Sequence, residues 1–268
     1  MIAIAHFIAI SCYLGAAALA AAPFARPVRA PKRGVVALLA VGVLAHVAGL
    51  LAFSRAAGTL PLTGLGPALS FGGLLLAGTL LVAEWLARDA SLTLIVAPLA
   101  AVPTTAANII GLTPGVTAAG LRGVWLFAHI TSSFLGIAAF ATAAGAGALY
   151  LAQRHELKSG RFDTLFRFFP PLATLDRVNH LAAIVGWLGL TLGVVLAASY
   201  SLEYRQLNVP QLVWGTGAWI AVSCIALGRV IRGWQARRAA MYSGLAFALV
   251  LVLYVAMRVA APMPGQFL

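Results

Sequence analysis

The sequence predicts an all-α, polytopic integral membrane protein, a single bundle of eight transmembrane helices with both termini outside. The first observation is composition: of 268 residues, 62% are hydrophobic and 9% are charged, and the mean hydropathy is +0.98. Soluble domains carry about 25% charged and about 45–50% apolar residues. The second observation is that apolar segments of membrane-spanning length alternate with short loops throughout the chain. Residues 1–268 are therefore expected to form one transmembrane domain.

The apolar segments define the individual helices. A spanning helix needs about 20 mostly apolar residues, and eight segments qualify, at roughly 2–24, 34–54, 66–87, 91–111, 121–152, 174–200, 210–231 and 239–261. The first segment is as long as the others, and its positive charges follow it, so we expect a retained helix and not a cleavable signal. The fifth and sixth segments are long enough to tilt or to project beyond the bilayer.

Lys and Arg are distributed unevenly between the two sides of the predicted bundle. The loops after helices one, three, five and seven hold 14 of the 18, namely Arg26, Arg29, Lys32, Arg33, Arg88, Arg154, Lys158, Arg161, Arg167, Arg177, Arg229, Arg232, Arg237 and Arg238. The opposite side holds Arg55, Arg122, Arg205 and Arg258. Loops rich in Lys and Arg stay in the cytoplasm. In a bacterial cytoplasmic (inner) membrane, the loops after helices one, three, five and seven are therefore predicted to be cytoplasmic and both termini to be outside. The net charge of +12 thus reflects topology, and no nucleic-acid partner is expected.

Two histidines lie well inside predicted spans, His46 in ALLAVGVLAHVAGLLAF and His129 in VWLFAHITSSFLGIAAF. At a rise of 1.5 Å per residue, both lie about 12–13 Å below the outer surface. Two imidazoles at one depth suit the axial ligation of one haem iron, and Gly42 and Gly49 leave space beside the His46 ring. The alternative is that each ring forms a hydrogen bond to a neighbouring helix and serves packing.

The surroundings of His129 fit the ligand hypothesis. Trp125, Ser133 and Gly136 share its helix face. Arg122 lies on the same face about 10 Å further out, where its guanidinium can meet an anionic group such as a haem propionate. Arg122 and Trp125 are therefore candidate cofactor-binding residues.

The other polar residues in or near the spans are predicted to have structural roles. His6 is expected to reach interface water, and Glu84 and Asp89 to form a surface charge cluster. Asp176 and His180 are four residues apart, so they share a helix face and can pair. His180 is also the reserve candidate for a cofactor ligand, on the inner side.

Three stretches resemble the membrane cytochrome c assembly family, the CcsA/HemX/YpjD group of haem-handling proteins. They are LFAHITSSFLGIAAF with the following LAQRHELKSGRF, then FPPLATLDRVNHLAAIVGWLGLTLGVVLA, and WGTGAWIAVSCIALGRVIRGWQARRAAMYSGLAFALVLVLY. The resemblance is strongest over residues 121–260. It implies a bundle of about this many helices and haem binding through histidines, which carries to His129 and, less directly, to His46.

One segment departs from the haem-presenting branch of this family. That branch has a tryptophan-rich WWD-type segment, whereas this chain has SLEYRQLNVPQLVWGTGAW, so the resemblance is closer to the HemX/YpjD branch. We expect a haem-binding protein of haem handling or c-type cytochrome assembly, with a non-covalent b-type haem, no catalysis of its own, and other haem-handling or cytochrome assembly membrane proteins as partners.

The alternative is a HemX-like membrane regulator or complex subunit of tetrapyrrole synthesis, whose basic loops bind a cytoplasmic partner. A transporter is disfavoured because the sequence shows no internal repeat and no paired broken helices.

Overall fold

The computed structural model describes residues 1–25, 31–62, 64–115, 120–160, 169–205 and 209–260. Within these ranges the chain forms eight helices and no strand: α1 (Ile2–Ala25), α2 (Lys32–Ala57), α3 (Leu65–Ala87), α4 (Thr93–Ile110), α5 (Leu121–Ser159), α6 (Leu172–Tyr204), α7 (Val209–Arg232) and α8 (Ala236–Ala260). Each contains a segment long and apolar enough to cross a membrane. The predicted helical class and the eight spans are thus confirmed for the described residues.

The largest departure from the predicted boundaries is at the end of α5. The apolar sequence stops near residue 152, but the helix continues to Ser159 and has 39 residues, or about 58 Å at 1.5 Å per residue. Backbone hydrogen bonding does not depend on hydropathy, so the polar stretch QRHELKS remains helical. The helix ends at Gly160, whose φ of 69° is the left-handed conformation that glycine adopts without a steric penalty.

The helices pack as two groups of four that meet between α3 and α5. In the first group α1 contacts α2 and α4, and α3 contacts α2 and α4; in the second, α5 contacts α6 and α8, and α7 contacts α6 and α8. One buried apolar cluster, around Tyr13 and Leu80, extends from the first group into α5 and α6, and a second, around Phe140 and Val222, lies within the second group. Below, the side at which α1, α3, α5 and α7 begin, predicted to be outside, is called the outer side.

Helices α5 and α6 approach each other through glycines. A Cβ added at Gly136 would lie 2.7 Å from the backbone nitrogen of Leu190, and one added at Gly189 would lie 2.9 Å from the Cα of Gly136. Small residues at such positions let membrane helices come into backbone contact. This glycine seam brings the backbone of α6 close enough to contact the side chains of the outer half of α5.

The prediction that Glu84 and Asp89 are surface charges is wrong. Glu84 is 1% exposed and Asp89 is 5% exposed. The Glu84 Oε1 atom accepts hydrogen bonds from the Thr93 backbone N–H at 2.7 Å and from the Thr93 hydroxyl at 2.9 Å, which satisfies a free N–H at the start of α4. Asp89 accepts from the Ser91 N–H at 2.9 Å and pairs with Lys32. The α3–α4 turn therefore folds its carboxylates inward.

The predicted pair of Asp176 with His180 is also replaced. Asp176 instead pairs with Arg229 of α7, with Oδ1 and Nη2 2.5 Å apart, because a guanidinium offers a stronger charge-assisted bond than a neighbouring imidazole. Asn179 donates to the Ser243 hydroxyl of α8 at 2.9 Å and to a backbone carbonyl of α5 at 2.7 Å. A polar network therefore links α5, α6, α7 and α8 on the inner side.

Candidate functional site

The two predicted ligands, His46 and His129, face different neighbours. On α5, His129 and Ser133 are directed at α6, whereas Phe134 on the other face packs against Phe71 of α3, with ring centroids 6.5 Å apart. His46 of α2 bonds residues of α1 and α3. The structure therefore brings His46 together with α1 and α3, and it does not bring it together with His129.

His129 is held by the backbone of α6. Its Nδ1 lies 2.8 Å from the carbonyl oxygen of Gly193. Because a carbonyl oxygen accepts hydrogen bonds and never donates them, Nδ1 carries the proton and Nε2 carries the lone pair. The ring is half-buried, and the described residues give Nε2 no hydrogen-bond partner. An imidazole whose Nδ1–H donates to a carbonyl while Nε2 stays free is the usual arrangement of a metal-ligating histidine.

The other candidates on this face also contact α6. The Trp125 indole N–H donates to the carbonyl of Leu196 at 3.0 Å, and the guanidinium carbon of Arg122 lies 4.1 Å from the centroid of the Tyr204 ring. Arg122 is exposed, so its N–H groups remain accessible to an anion while its plane contacts the ring. His129, Trp125 and Arg122, which the sequence placed on one face of their helix, therefore all contact α6.

His46 lies in a buried chain of hydrogen bonds, here called the histidine chain, formed by Tyr13, His46, Ser70, His6 and the carbonyl of Ile2. The Tyr13 hydroxyl is 3.1 Å from His46 Nδ1, and the Ser70 hydroxyl is 2.8 Å from His46 Nε2. The same Ser70 oxygen is 2.7 Å from His6 Nε2, and His6 Nδ1 is 2.9 Å from the Ile2 oxygen. Both imidazoles are 0% exposed, so α1, α2 and α3 are joined away from solvent.

The donor and the acceptor of each hydrogen bond in the histidine chain can be assigned by starting from the Ile2 carbonyl. The Ile2 carbonyl must accept, so His6 carries its proton on Nδ1 and accepts from Ser70 at Nε2. Ser70 then accepts from His46 Nε2–H, and His46 Nδ1 accepts from the Tyr13 hydroxyl. Every polar group has a partner, and His46 has no free lone pair. To act as a ligand, His46 must leave Ser70 and move its proton to the other ring nitrogen.

His6 is fully buried, so the prediction that it reaches interface water is wrong. Two glycines of α2 allow α1 to come close: a Cβ at Gly49 would lie 3.0 Å from the His6 ring, and one at Gly42 would lie 2.8 Å from the Tyr13 ring. These glycines make room for the partners of His46. The sequence did contain a signal for a shared role: His6 and Tyr13 are seven residues apart on α1 and therefore lie on one helix face.

The reserve candidate, His180, lies in the inner half of α6, apart from both imidazole sites. Its Nδ1 is buried without a hydrogen-bond partner among the described residues. Across those residues no group of three or more His, Cys, Asp or Glu side chains is arranged to hold a metal ion.

A small apolar cavity lies between α2, α3 and α5, on the side of α5 away from His129. Its volume is about 190 Å³, and its lining includes Val47, Leu50, Phe71, Leu74 and Phe127. Binding sites for organic ligands commonly measure about 300–1,000 Å³. The cavity is therefore smaller than a typical site for an organic ligand, and neither His46 nor His129 lines it.

Comparison with known proteins matches residues 31–262 to the family described as "Cytochrome C assembly protein". The cytochrome c biogenesis protein CcsA of Prochlorococcus marinus is 26% identical over 158 residues, which is 50% of each chain. CcsA of Synechococcus elongatus is 30% identical over 86 residues, 31% of this chain and 26% of the relative. The chain thus spans half or less of the length of these curated relatives, and no solved structure matches it.

The matched region contains α2 to α8 and with them His46 and His129, whereas α1 with His6 precedes it. These relatives are named as cytochrome c biogenesis proteins, and the matches give no support to the regulator of tetrapyrrole synthesis considered as the alternative. Because the family match covers most of the chain, this protein belongs to the cytochrome c assembly family.

Proposed function

We propose that this protein binds haem at His129 and handles haem during the assembly of c-type cytochromes. Family membership and the biogenesis names of its relatives support the cellular role. The observation that carries the site is the geometry of His129, whose proton is held on Nδ1 by Gly193 and whose Nε2 is free. A neutral imidazole nitrogen in an apolar setting is a standard axial ligand of haem iron.

The residues around His129 fit a b-type haem held without covalent bonds. Leu192, which precedes Gly193 on α6, is exposed and offers apolar surface to the macrocycle. Arg122, about 10 Å further out along α5, can bind a propionate through charge-assisted hydrogen bonds. The described residues of this face contain no second imidazole. We therefore propose a haem with one imidazole ligand from this chain, which suits a haem that is passed on.

We also propose that the chain belongs to the HemX/YpjD branch. The two tryptophans near the start of α7 are engaged inside the bundle: the Trp214 indole N–H donates to the carbonyl of Val250 at 3.1 Å, and that of Trp219 donates to the Thr191 hydroxyl at 2.9 Å. Tryptophans that pack helices are not available to present haem at the surface. This supports a branch without a tryptophan-rich presenting segment.

The proposed topology places the ends of α1 and α8 that carry the termini outside. In a Cys12→Ser, Cys224→Ser background, single cysteines at Thr113 and Ser159, both exposed, should be labelled from opposite sides of sealed vesicles. A membrane-impermeant thiol reagent applied to right-side-out vesicles should label Thr113→Cys alone. Labelling of both variants from one side contradicts the topology.

Haem spectra test the site. Purified protein supplied with haem should show a haem absorption spectrum, and His129→Ala should lose it, while His155→Ala, at an exposed position on the extension of α5, should keep it. His46→Ala decides between one and two imidazoles. An unchanged spectrum supports ligation by His129 alone, and loss of low-spin bands supports the His46–His129 pair predicted from the sequence. A colourless wild-type protein, or an unaltered His129→Ala spectrum, refutes the proposal.

Arg122 is tested by retention of haem. Arg122→Ala should speed haem loss to an acceptor protein by about tenfold, as expected for one charge-assisted contact, without changing the absorption bands of the remaining complex. Arg55→Ala, at an exposed position on the same side, is the matched control. Shifted bands in Arg122→Ala mean that the arginine affects the iron ligands and does not hold a propionate.

A further inference from the structure

We propose that His6 and His46 form a binding site for a single d¹⁰ cation, Zn²⁺ or Cu⁺, with the Ser70 hydroxyl as a third ligand. Two imidazole nitrogens from different helices converge on one point. The Nε2 atoms of His6 and His46 lie 2.7 Å and 2.8 Å from the same Ser70 oxygen. Imidazole is a good ligand for zinc and copper, and both rings are already oriented toward that point.

The spacing of the two rings distinguishes a tetrahedral ion from a haem iron. The His6 and His46 ring centroids are 5.1 Å apart, and the ring planes are 69° apart. With metal–nitrogen distances of about 2.0–2.1 Å, two imidazoles on a tetrahedral ion have centroids about 5 Å apart. Two imidazoles on opposite sides of a haem iron need about 6 Å, with a macrocycle between them. The observed separation matches the tetrahedral ion.

The Nδ1 atom of each ring lies within hydrogen-bond distance of an oxygen atom, as in established metal sites. His6 Nδ1–H already donates to the Ile2 carbonyl. When the ion binds, the His46 proton moves from Nε2 to Nδ1 and is donated to the Tyr13 oxygen, whose hydroxyl turns away. Ser70 rotates its hydroxyl hydrogen away from His6 and presents a lone pair. The ion then has three ligands from the protein, a water molecule completes the tetrahedron, and no net proton is gained or lost.

The site is independent of the haem proposed at His129. His129 faces α6, whereas the histidine chain joins α1, α2 and α3. His6 also precedes the residues matched by the family, so this pair is a feature of the present chain and not of the matched region. Cu⁺ carries half the charge of Zn²⁺ and is less costly to bury in apolar surroundings, and the two ions are compared directly in the test.

The test uses protein freed of its affinity tag and of metal by chelation, in detergent micelles without haem. Co²⁺ is the spectroscopic probe, because tetrahedral Co²⁺ absorbs far more strongly in the visible than octahedral Co²⁺. Wild type should bind one Co²⁺ per chain with intense bands, and Zn²⁺, or Cu⁺ under reducing conditions, should displace it. Dialysis against each ion measures which binds more tightly.

Variants decide whether the histidine chain is the site. His6→Gln and His46→Ala should each lose the bound equivalent, whereas His129→Ala and His155→Ala should keep it. Tyr13→Phe retains the ring and removes the acceptor behind His46, so it should weaken binding by about 10-fold or more. Helix content and elution volume confirm that each variant is folded, and Tyr13→Phe provides a second test should His6→Gln misfold.

Three outcomes overturn the proposal: no stoichiometric binding by wild type, weak bands typical of octahedral Co²⁺, or unchanged binding in His6→Gln and Tyr13→Phe. Haem absorption recorded on separate samples keeps the two proposals apart. If the wild type binds haem but no Co²⁺, the metal site alone is refuted. If it binds Co²⁺ but no haem, the haem site alone is refuted.

Discussion

The outer halves of α2 and α5 each place one imidazole inside a membrane span, and the two are held in opposite ways. His46 is fully buried, with both ring nitrogens bonded by side chains of α1 and α3. His129 is half-buried, with one nitrogen bonded to a backbone carbonyl of α6 and the other free. A histidine within a span is therefore not a ligand by its depth alone. The group that holds each ring decides which nitrogen is available.

Glycines cause this difference in both places. On α2, Gly42 and Gly49 leave space for the side chains of Tyr13 and His6. The hydroxyls of Tyr13 and Ser70 can donate as well as accept hydrogen bonds, so together they occupy both ring nitrogens of His46. On α6, Gly193 has no side chain, so α5 comes close enough for His129 to donate to the backbone carbonyl of Gly193. This bond leaves the second ring nitrogen free. Close helix packing thus makes one imidazole inaccessible and prepares the other for a ligand.

The largest expected effect comes from separating α5 and α6. Gly136→Val puts side-chain atoms where a Cβ alone would lie 2.7 Å from the Leu190 backbone nitrogen, and should lower the free energy of unfolding by about 2–3 kcal/mol. His129 should lose its contact with Gly193, and haem retention should fall. Unfolding in mixed micelles and haem titration measure both effects. Gly78→Val, at a site with open space around its Cβ, is the control. Unchanged haem retention in Gly136→Val means that the seam does not position His129.

The next largest effect is expected in the histidine chain. Ser70→Ala removes the hydroxyl shared by His6 and His46, and should lower the free energy of unfolding by about 1–3 kcal/mol, because two buried ring nitrogens lose their partner. Haem bound at His129 should be unaffected. The same two measurements apply, with Ser159→Ala at an exposed position as the control. A changed haem spectrum in Ser70→Ala connects the two regions and contradicts their separation.

A smaller effect is expected at Gly193. A Cβ there would lie 2.3 Å from the Ser133 hydroxyl oxygen, so Gly193→Ala should lower the free energy of unfolding by about 1–2 kcal/mol through overpacking. The double variant Gly193→Ala, Ser133→Gly should recover much of this loss, since the atom that clashes is removed. A double-mutant cycle measures the coupling, and strictly additive effects show that the contact with Ser133 is not the cause.

The smallest effect is expected at Trp125. Trp125→Phe keeps an aromatic ring beside Tyr204 but removes the indole N–H that donates to the Leu196 carbonyl at 3.0 Å, which should cost about 1 kcal/mol. The haem spectrum should not change, because Trp125 does not contact Nε2. Trp85→Phe, at a largely exposed ring, is the control. A larger loss of haem than in Arg122→Ala assigns Trp125 a direct contact with the ligand.

The accuracy of the sequence predictions depends on which property they used. The eight spans follow from the length of apolar segments, and the shared face of Arg122, Trp125 and His129 follows from helical periodicity. The burial of Glu84 was missed because its partner, the start of α4, is created by a turn whose shape hydropathy does not report. Asp176 was given a local partner, whereas its ion pair is made with Arg229, 53 positions away.

The sequence by itself determined that this protein is a helical membrane protein with eight spans and that His129 lies on a face with Ser133 and Gly136. Those properties depend on neighbours along one chain segment, and a helix fixes their geometry in advance. Only the tertiary structure decided that His46 pairs with His6 through Ser70, and that His129 meets a carbonyl. Such pairings depend on the rotation of each helix about its axis and on the distance between helices, which the whole set of packed side chains determines together.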